Sequence, residues 1–89
     1  MWYVYLLRCA DGTFYAGSTN DLARRLVAHN SGSGAKYTRS RRPCTLVYWE
    51  EAADKSAALR REAAVKKLSR AQKAALIEKA QESGYNKSV

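Results

Sequence analysis

Tyr3-Val4-Tyr5-Leu6-Leu7-Arg8-Cys9-Ala10-Asp11-Gly12-Thr13-Phe14-Tyr15-Ala16-Gly17 decides the architecture, because it reads as two strands and the turn that joins them. Trp2 to Arg8 is rich in aromatic and branched side chains, the composition of a strand. Ala10-Asp11-Gly12-Thr13 is a turn, since Asp-Gly tolerates the positive φ angles of a tight hairpin. Thr13 to Gly17 is the returning strand. The parity of the turn matters. A strict two-residue Asp11-Gly12 loop would put Tyr5 and Tyr15 on opposite faces, because cross-strand partners would then sum to an odd number.

Downstream of the hairpin, Ser18, Thr19 and Asn20 are N-cap candidates for a helix from about Asp21 to His29. Leu22, Ala23, Leu26 and Val27 form its expected buried stripe. Asn30 to Arg42 has a different texture: Ser-Gly-Ser-Gly followed by Lys36, Arg39, Arg41 and Arg42 makes a flexible, cationic loop. Pro43 ends it and Thr45 to Trp49 is a third strand. Asp54 caps a helix reaching about Leu68; Ser69 caps another reaching about Gln81, with Gly84 as its stop. The order β-β-α-β-α-α predicts an α/β (α+β) fold: a short, mainly antiparallel three-stranded sheet flanked by helices, each burying one apolar stripe. No repeat or linker divides it, so residues 1–82 read as a single domain and 83–89 as a frayed tail.

The 89 residues carry 16 Lys and Arg against 8 Asp and Glu, a net charge of +8. On so small a domain that field favours a polyanionic partner, nucleic acid above all. The two cysteines, Cys9 and Cys44, and the one histidine make no metal-ligand cluster. With no signal peptide in view, the cysteines read as reduced, buried apolar residues. No stretch approaches the length of a membrane span. The expected location is the cytoplasm, away from membranes.

Three groups of residues carry chemistry. Glu62 falls among Ala58, Leu59 and Val65 on the helical wheel, so a carboxylate is aimed at an apolar face. It is either a packed stem whose head pairs with a neighbouring cation or a hard oxygen ligand for Mg²⁺ or Mn²⁺. Arg25 and His29 lie four residues apart, beside Leu22. They suit a phosphate clamp with a proton-transfer or phosphate-holding partner, or else an Asp21–Arg25 ion pair with a histidine at its edge. Tyr3, Tyr5 and Tyr15 are half-buried strand residues, or hydroxyls converging on one phosphate or one water. Each residue, taken singly, is accounted for by packing.

Their order is not. Tyr3-Val4-Tyr5 and Tyr15-Ala16-Gly17, followed by Ser18-Thr19-Asn20-Asp21-Leu22, Arg25-Leu26 and His29-Asn30, then by Arg61-Glu62 and Lys66-Lys67-Leu68-Ser69-Arg70, resemble the GIY-YIG nuclease superfamily. The likeness is to its small stand-alone single-domain members, of the UPF0213 type, and runs from Tyr3 to about Ile77. Tyr3 stands where the first tripeptide usually has Gly; Val4 and Ala16 are mild changes from Ile. The resemblance implies that Tyr5 and Tyr15 line the active site and that Gly17 permits close backbone approach. It implies further that Arg25 stabilises the scissile phosphate, that His29 is a site histidine and that Glu62 is the metal ligand. Hydrolysis would then use one divalent ion (Mg²⁺ or Mn²⁺), a water nucleophile and a tyrosine base, the tyrosine being activated by nearby positive charge. Such a site needs both tyrosines on one face, which predicts a three- or five-residue hairpin loop, or a bulge.

The expected activity is therefore phosphodiester hydrolysis in nucleic acid, DNA ahead of RNA. Lys36, Arg39, Arg41, Arg42, Lys66, Lys67 and Arg70 are the expected phosphate contacts, giving salt-sensitive affinity with little sequence information. Tyr37 is placed to stack on a base or to anchor its loop. Two rivals stand beside this reading: a nucleic-acid-binding module without significant catalysis, and a nuclease active only with a protein partner that supplies the grip. The second would show a sizeable apolar patch near Trp49 or the last helix.

Overall fold

The computed structural model describes residues 1–82, and the expected tail and Gly84 stop lie outside them. The chain runs β1 (Trp2–Arg8), β2 (Phe14–Thr19), α1 (Leu22–Ser31), α2 (Lys36–Arg39), β3 (Thr45–Ala52), α3 (Lys55–Lys66) and α4 (Arg70–Glu82). The strands form one antiparallel sheet in the order β2-β1-β3, the α+β arrangement expected of the order of elements. β1, in the centre, is the most apolar strand, and Val4 to Leu7 are all buried.

Because side chains alternate across a strand, β1 feeds two separate cores. Val4 and Leu6 point to one face, where Ala16, Tyr48, Ala58, Val65 and Ala80 join them beneath α3 and α4. Tyr5 and Leu7 point to the other face, packing with Cys9, Cys44, Leu46 and the α1 residues Leu22 and Leu26. Cys9 and Cys44 are free and buried, their sulfurs 3.8 Å apart, and burial pushes the Cys44 thiol up to about 11. A register shift between Leu6 and Leu7 lets β3 bulge at Val47.

Several local expectations are corrected. The N-cap of α1 is Asp21, whose carboxylate accepts from Arg24 N at 3.1 Å, and not Ser18, Thr19 or Asn20. The helix is also turned from the expected stripe: Val27 is 67% exposed and Ala23 is exposed, while His29 is buried. β3 continues three residues past Trp49, and α3 stops at Lys66. Leu59, expected on the buried side of α3, is 49% exposed. Asp54 and Ser69 do cap α3 and α4, accepting from Ala57 N at 2.8 Å and Gln72 N at 3.1 Å.

The stretch read as a flexible loop is a built connection. Gly32, at φ 89°, closes α1 in the left-handed conformation that glycine adopts without a Cβ penalty. The Asn30 side chain then imitates a strand partner, accepting from Cys44 N at 2.7 Å and donating to Cys44 O at 2.9 Å. Between these two fixtures the single turn of α2 is held beneath α1. Replacing Asn30 by Ala leaves both backbone groups of buried Cys44 without those bonds, and is expected to lower unfolding stability by about 1–3 kcal/mol. Denaturant titration measures it; a change below about 0.5 kcal/mol would refute the role given to Asn30.

Candidate active site

The hairpin loop is Cys9–Thr13, five residues long, because Arg8 pairs with Phe14. Cys9 N donates to Thr13 O and Gly12 N to Cys9 O, both within 2.9 Å, and Gly12 takes φ 83°. Leu7 consequently faces Tyr15 across the strands and Tyr5 faces Gly17. Both tyrosines emerge on the α1 side, as a shared site requires. Gly17 is needed by close approach: a Cβ there would stand 2.6 Å from Tyr5 Cζ and would overlap its hydroxyl.

Tyr5 is only 2% exposed, and its hydroxyl meets two residues of α1. Arg25 Nε donates to it at 3.3 Å, and His29 Nε2 lies 2.9 Å away. The i, i+4 spacing of Arg25 and His29 stacks them on the face turned to the sheet, which accounts for the rotation of the helix. His29 is fully buried, with Nδ1 2.8 Å from Thr38 Oγ1. Gly34 lies against its ring, where a Cβ would come within 2.5 Å of Nδ1. Burial, and then the charge of Arg25, lower the His29 pKa to about 4, so the ring is neutral at physiological pH. Burial also raises the pKa of Tyr5, with Arg25 opposing it. The hydrogen bond to Tyr5 in turn holds Arg25 firmly cationic.

Tyr15 occupies the exposed side of this cluster. Its ring meets His29 edge-on at 5.2 Å and stacks on Tyr37 at 5.8 Å, with the Arg41 guanidinium 4.0 Å from the Tyr37 centroid. Arg25 interacts with Tyr15 as well as with Tyr5.

Glu62 approaches from the other face. Ser18 follows Gly17 on β2 and so points the opposite way, toward α3, where its hydroxyl donates to Glu62 Oε1 at 2.6 Å. Lys66, one helical turn on, pairs with Oε2 at 2.8 Å, and the carboxylate side chain is 17% exposed. The two halves meet around the edge strand: Glu62 is within electrostatic reach of Tyr5, and Lys66 of Tyr15.

The expected phosphate contacts fall into two sets. Lys36, Arg39, Lys66 and Lys67 are exposed. Arg41, Arg42 and Arg70 also tie backbone together: Arg41 bonds Tyr37 O at 2.9 Å and Asp11 at 3.1 Å, and Arg42 bonds Arg39 O at 2.9 Å. Arg70 bonds Gly12 O at 2.6 Å and lies over Phe14. Tyr37 is 37% exposed, its ring engaged by Tyr15 and Arg41. Thr38 and Gly34 are not singled out by sequence, and Ser18 stands there only as an N-cap candidate and a motif member. Strand alternation from Gly17 would have located Ser18; nothing in the basic loop marks Thr38. Trp49 is half-buried, edge-on to Tyr3 at 5.7 Å. No described helix is long and apolar enough to cross a membrane.

Comparison with known proteins identifies the family of the chain. A family model described as the GIY-YIG catalytic domain matches residues 1–75. A UPF0213 protein of Desulfotalea psychrophila is 52% identical over 86 residues, covering 96% of this chain and 77% of that protein. One from Halobacterium salinarum is 55% identical over 77 residues, covering 86% of this chain and 100% of the other. The solution NMR structure of a UPF0213 protein from Bacillus halodurans superposes with a TM-score of 0.60 at 44% identity, covering 99% of this chain and 95% of that one.

The depressed His29 pKa has a sign that can be checked. In the unfolded chain the imidazole binds a proton near its ordinary 6.5, whereas the folded protein resists protonation until about 4. Its contribution to stability is therefore complete above pH 6.5 and is lost as the pH falls toward 4, amounting to about 3 kcal/mol at most. Unfolding free energies measured across that window should fall more steeply for the native chain than for His29→Gln. Parallel curves would contradict the buried, neutral imidazole.

Proposed function

The chain belongs to the GIY-YIG nuclease superfamily, and from that premise we propose that it is a metal-dependent endonuclease hydrolysing phosphodiester bonds of nucleic acid, with DNA as the first substrate. The observation that carries the proposal is the use of one strand by both halves of the site. Gly17 admits the Tyr5–Arg25–His29 group on one face, and its neighbour Ser18 holds Glu62 on the other.

The donor set suits one hard cation. Glu62 is a half-buried carboxylate with the Ser18 hydroxyl at one oxygen, and its other oxygen carries an exposed, displaceable lysine. Among the described residues no three His, Cys, Asp or Glu side chains gather into a protein cage. One carboxylate, with water and substrate oxygens completing the sphere, is a usual way of holding Mg²⁺ or Mn²⁺. Such an ion supplies polarisation of a phosphoryl oxygen and neutralisation of developing charge.

The remaining chemistry belongs to the side chains. Arg25, anchored through Nε, directs its planar fork toward a phosphate and stabilises the extra charge of the pentavalent state. Tyr15, half-exposed beside Arg25 and Lys66, is the tyrosine accessible to an attacking water, and only as a phenolate would it take that water's proton. Tyr5 and His29 are too enclosed to touch substrate; they hold Arg25. Lys36, Arg39 and Lys67, with the partly engaged Arg41, Arg42 and Arg70, supply the sequence-independent grip on the backbone.

Labelled single-stranded, duplex and branched DNA and RNA, incubated with Mg²⁺ or Mn²⁺ and with chelator, test the proposal. Glu62→Gln and Arg25→Lys should each lower the cleavage rate about 10²–10³-fold, and chelation should abolish it. Cleavage by Glu62→Gln at the native rate, or cleavage surviving chelation, would refute the mechanism. Salt-sensitive binding with no cleavage of any substrate would instead favour a binding module.

A further inference from the structure

The buried polar chain has a direction, set by an acceptor-only carbonyl at one end and the donor-only Arg25 at the other. Thr38 Oγ1 lies 2.9 Å from Ala35 O and 2.8 Å from His29 Nδ1. A carbonyl can only accept, so the single hydroxyl proton of Thr38 goes to Ala35 O, and its oxygen is left to accept from His29. His29 must then carry its proton on Nδ1, which leaves Nε2 bare. Bare Nε2, 2.9 Å from Tyr5, accepts the phenolic proton, and the Tyr5 oxygen accepts from Arg25 Nε at 3.3 Å. Every group in Arg25→Tyr5→His29→Thr38→Ala35 then donates once to the next.

The opposite tautomer breaks this order. With the proton on Nε2, His29 and Arg25 would both donate to the Tyr5 oxygen, and the Tyr5 proton would have no acceptor in the chain although the residue is 2% exposed. Nδ1 would need the Thr38 proton, taking it from Ala35 O. The buried Tyr5 proton would lose its partner, whereas Ala35 O would keep Thr38 N at 3.1 Å and Arg39 N at 3.2 Å; Tyr5 and His29 are so enclosed that water cannot step in.

We propose that Thr38 is a positioning residue: by accepting from His29 Nδ1–H it fixes the imidazole tautomer and, through Tyr5, the orientation of the Arg25 guanidinium. Held at Nε, Arg25 keeps its terminal N–H groups for Tyr15 and for an oxyanion. The proton of Tyr5 is thereby directed inward, onto His29 Nε2. The α2 turn is thereby part of the site, although α2 contributes no group that reaches the reacting atoms. The step from Arg25 to catalysis rests on the nuclease reading; the tautomer assignment does not.

His29 is the only histidine in the chain, so ¹⁵N NMR of its imidazole reads the tautomer without overlap. The native protein should show Nδ1–H and an unprotonated Nε2 at neutral pH. Thr38→Val should lose that preference and lower kcat about 10- to 100-fold with KM nearly unchanged, and Thr38→Ser should restore both. A native spectrum showing Nε2–H would overturn the proposal, as would a Thr38→Val protein retaining both tautomer and kcat. Should the valine variant fail to fold, the native spectrum and Thr38→Ser still decide. The expected tautomers with no cleavage by any variant would overturn the catalytic step while upholding the assignment.

Discussion

The register of the first hairpin is the constraint on which the rest of this molecule depends. With Cys9–Thr13 as a five-residue loop, Tyr5 faces Gly17 and Leu7 faces Tyr15. A slip of one residue would send Tyr15 to the α3 side and set the Ser18 side chain against the Tyr5 ring. The native pairing instead uses the alternation of β2 twice: Gly17 provides room on one face, and Ser18 provides a hydroxyl to Glu62 on the other. An edge strand is suited to this task, because groups from both faces converge around its free side.

The second constraint is polar and buried. His29 and Thr38 are wholly enclosed beside an apolar cluster of Tyr5, Leu7 and Leu46. A charged imidazole there would face both desolvation and the Arg25 guanidinium, and these hold it neutral. Neutral and fully bonded, the chain is tolerated; with one member removed, its neighbours keep the cost of dehydration without compensation. That asymmetry gives the site rigidity. It also binds α1, α2 and β1 together through side chains, where the shortness of α2 offers little apolar area.

Much of this was legible in the sequence, for physical reasons that differ residue by residue. Asp-Gly between two aromatic strands specifies a hairpin, and Arg25 with His29 at i, i+4 specifies a shared helical face. The rotation of α1 departs from the expected stripe, because Val27 and Ala23 are apolar yet lie outside the core. The actual buried face is chosen by the hydrogen bonds available to Arg25 and His29, and Val27 is left in solvent. Glu62 was recognisable as a carboxylate aimed at an apolar face, but its partner Ser18, far away in sequence, was not identified. Thr38 was hidden in a stretch whose glycine and charge suggested mobility. Its order comes from longer-range bonds, Asn30 to Cys44 and Arg42 to Asn30 O, which no local pattern announces.

The central claim is that Glu62, beside Ser18 at the edge of β2, is where a divalent ion acts. Paramagnetic broadening of backbone amide signals by substoichiometric Mn²⁺ addresses it directly. The account predicts selective loss of signal around Ser18 and Glu62, extending to Tyr15, and abolished in Glu62→Ala. Broadening centred elsewhere, or unchanged by that substitution, would contradict it.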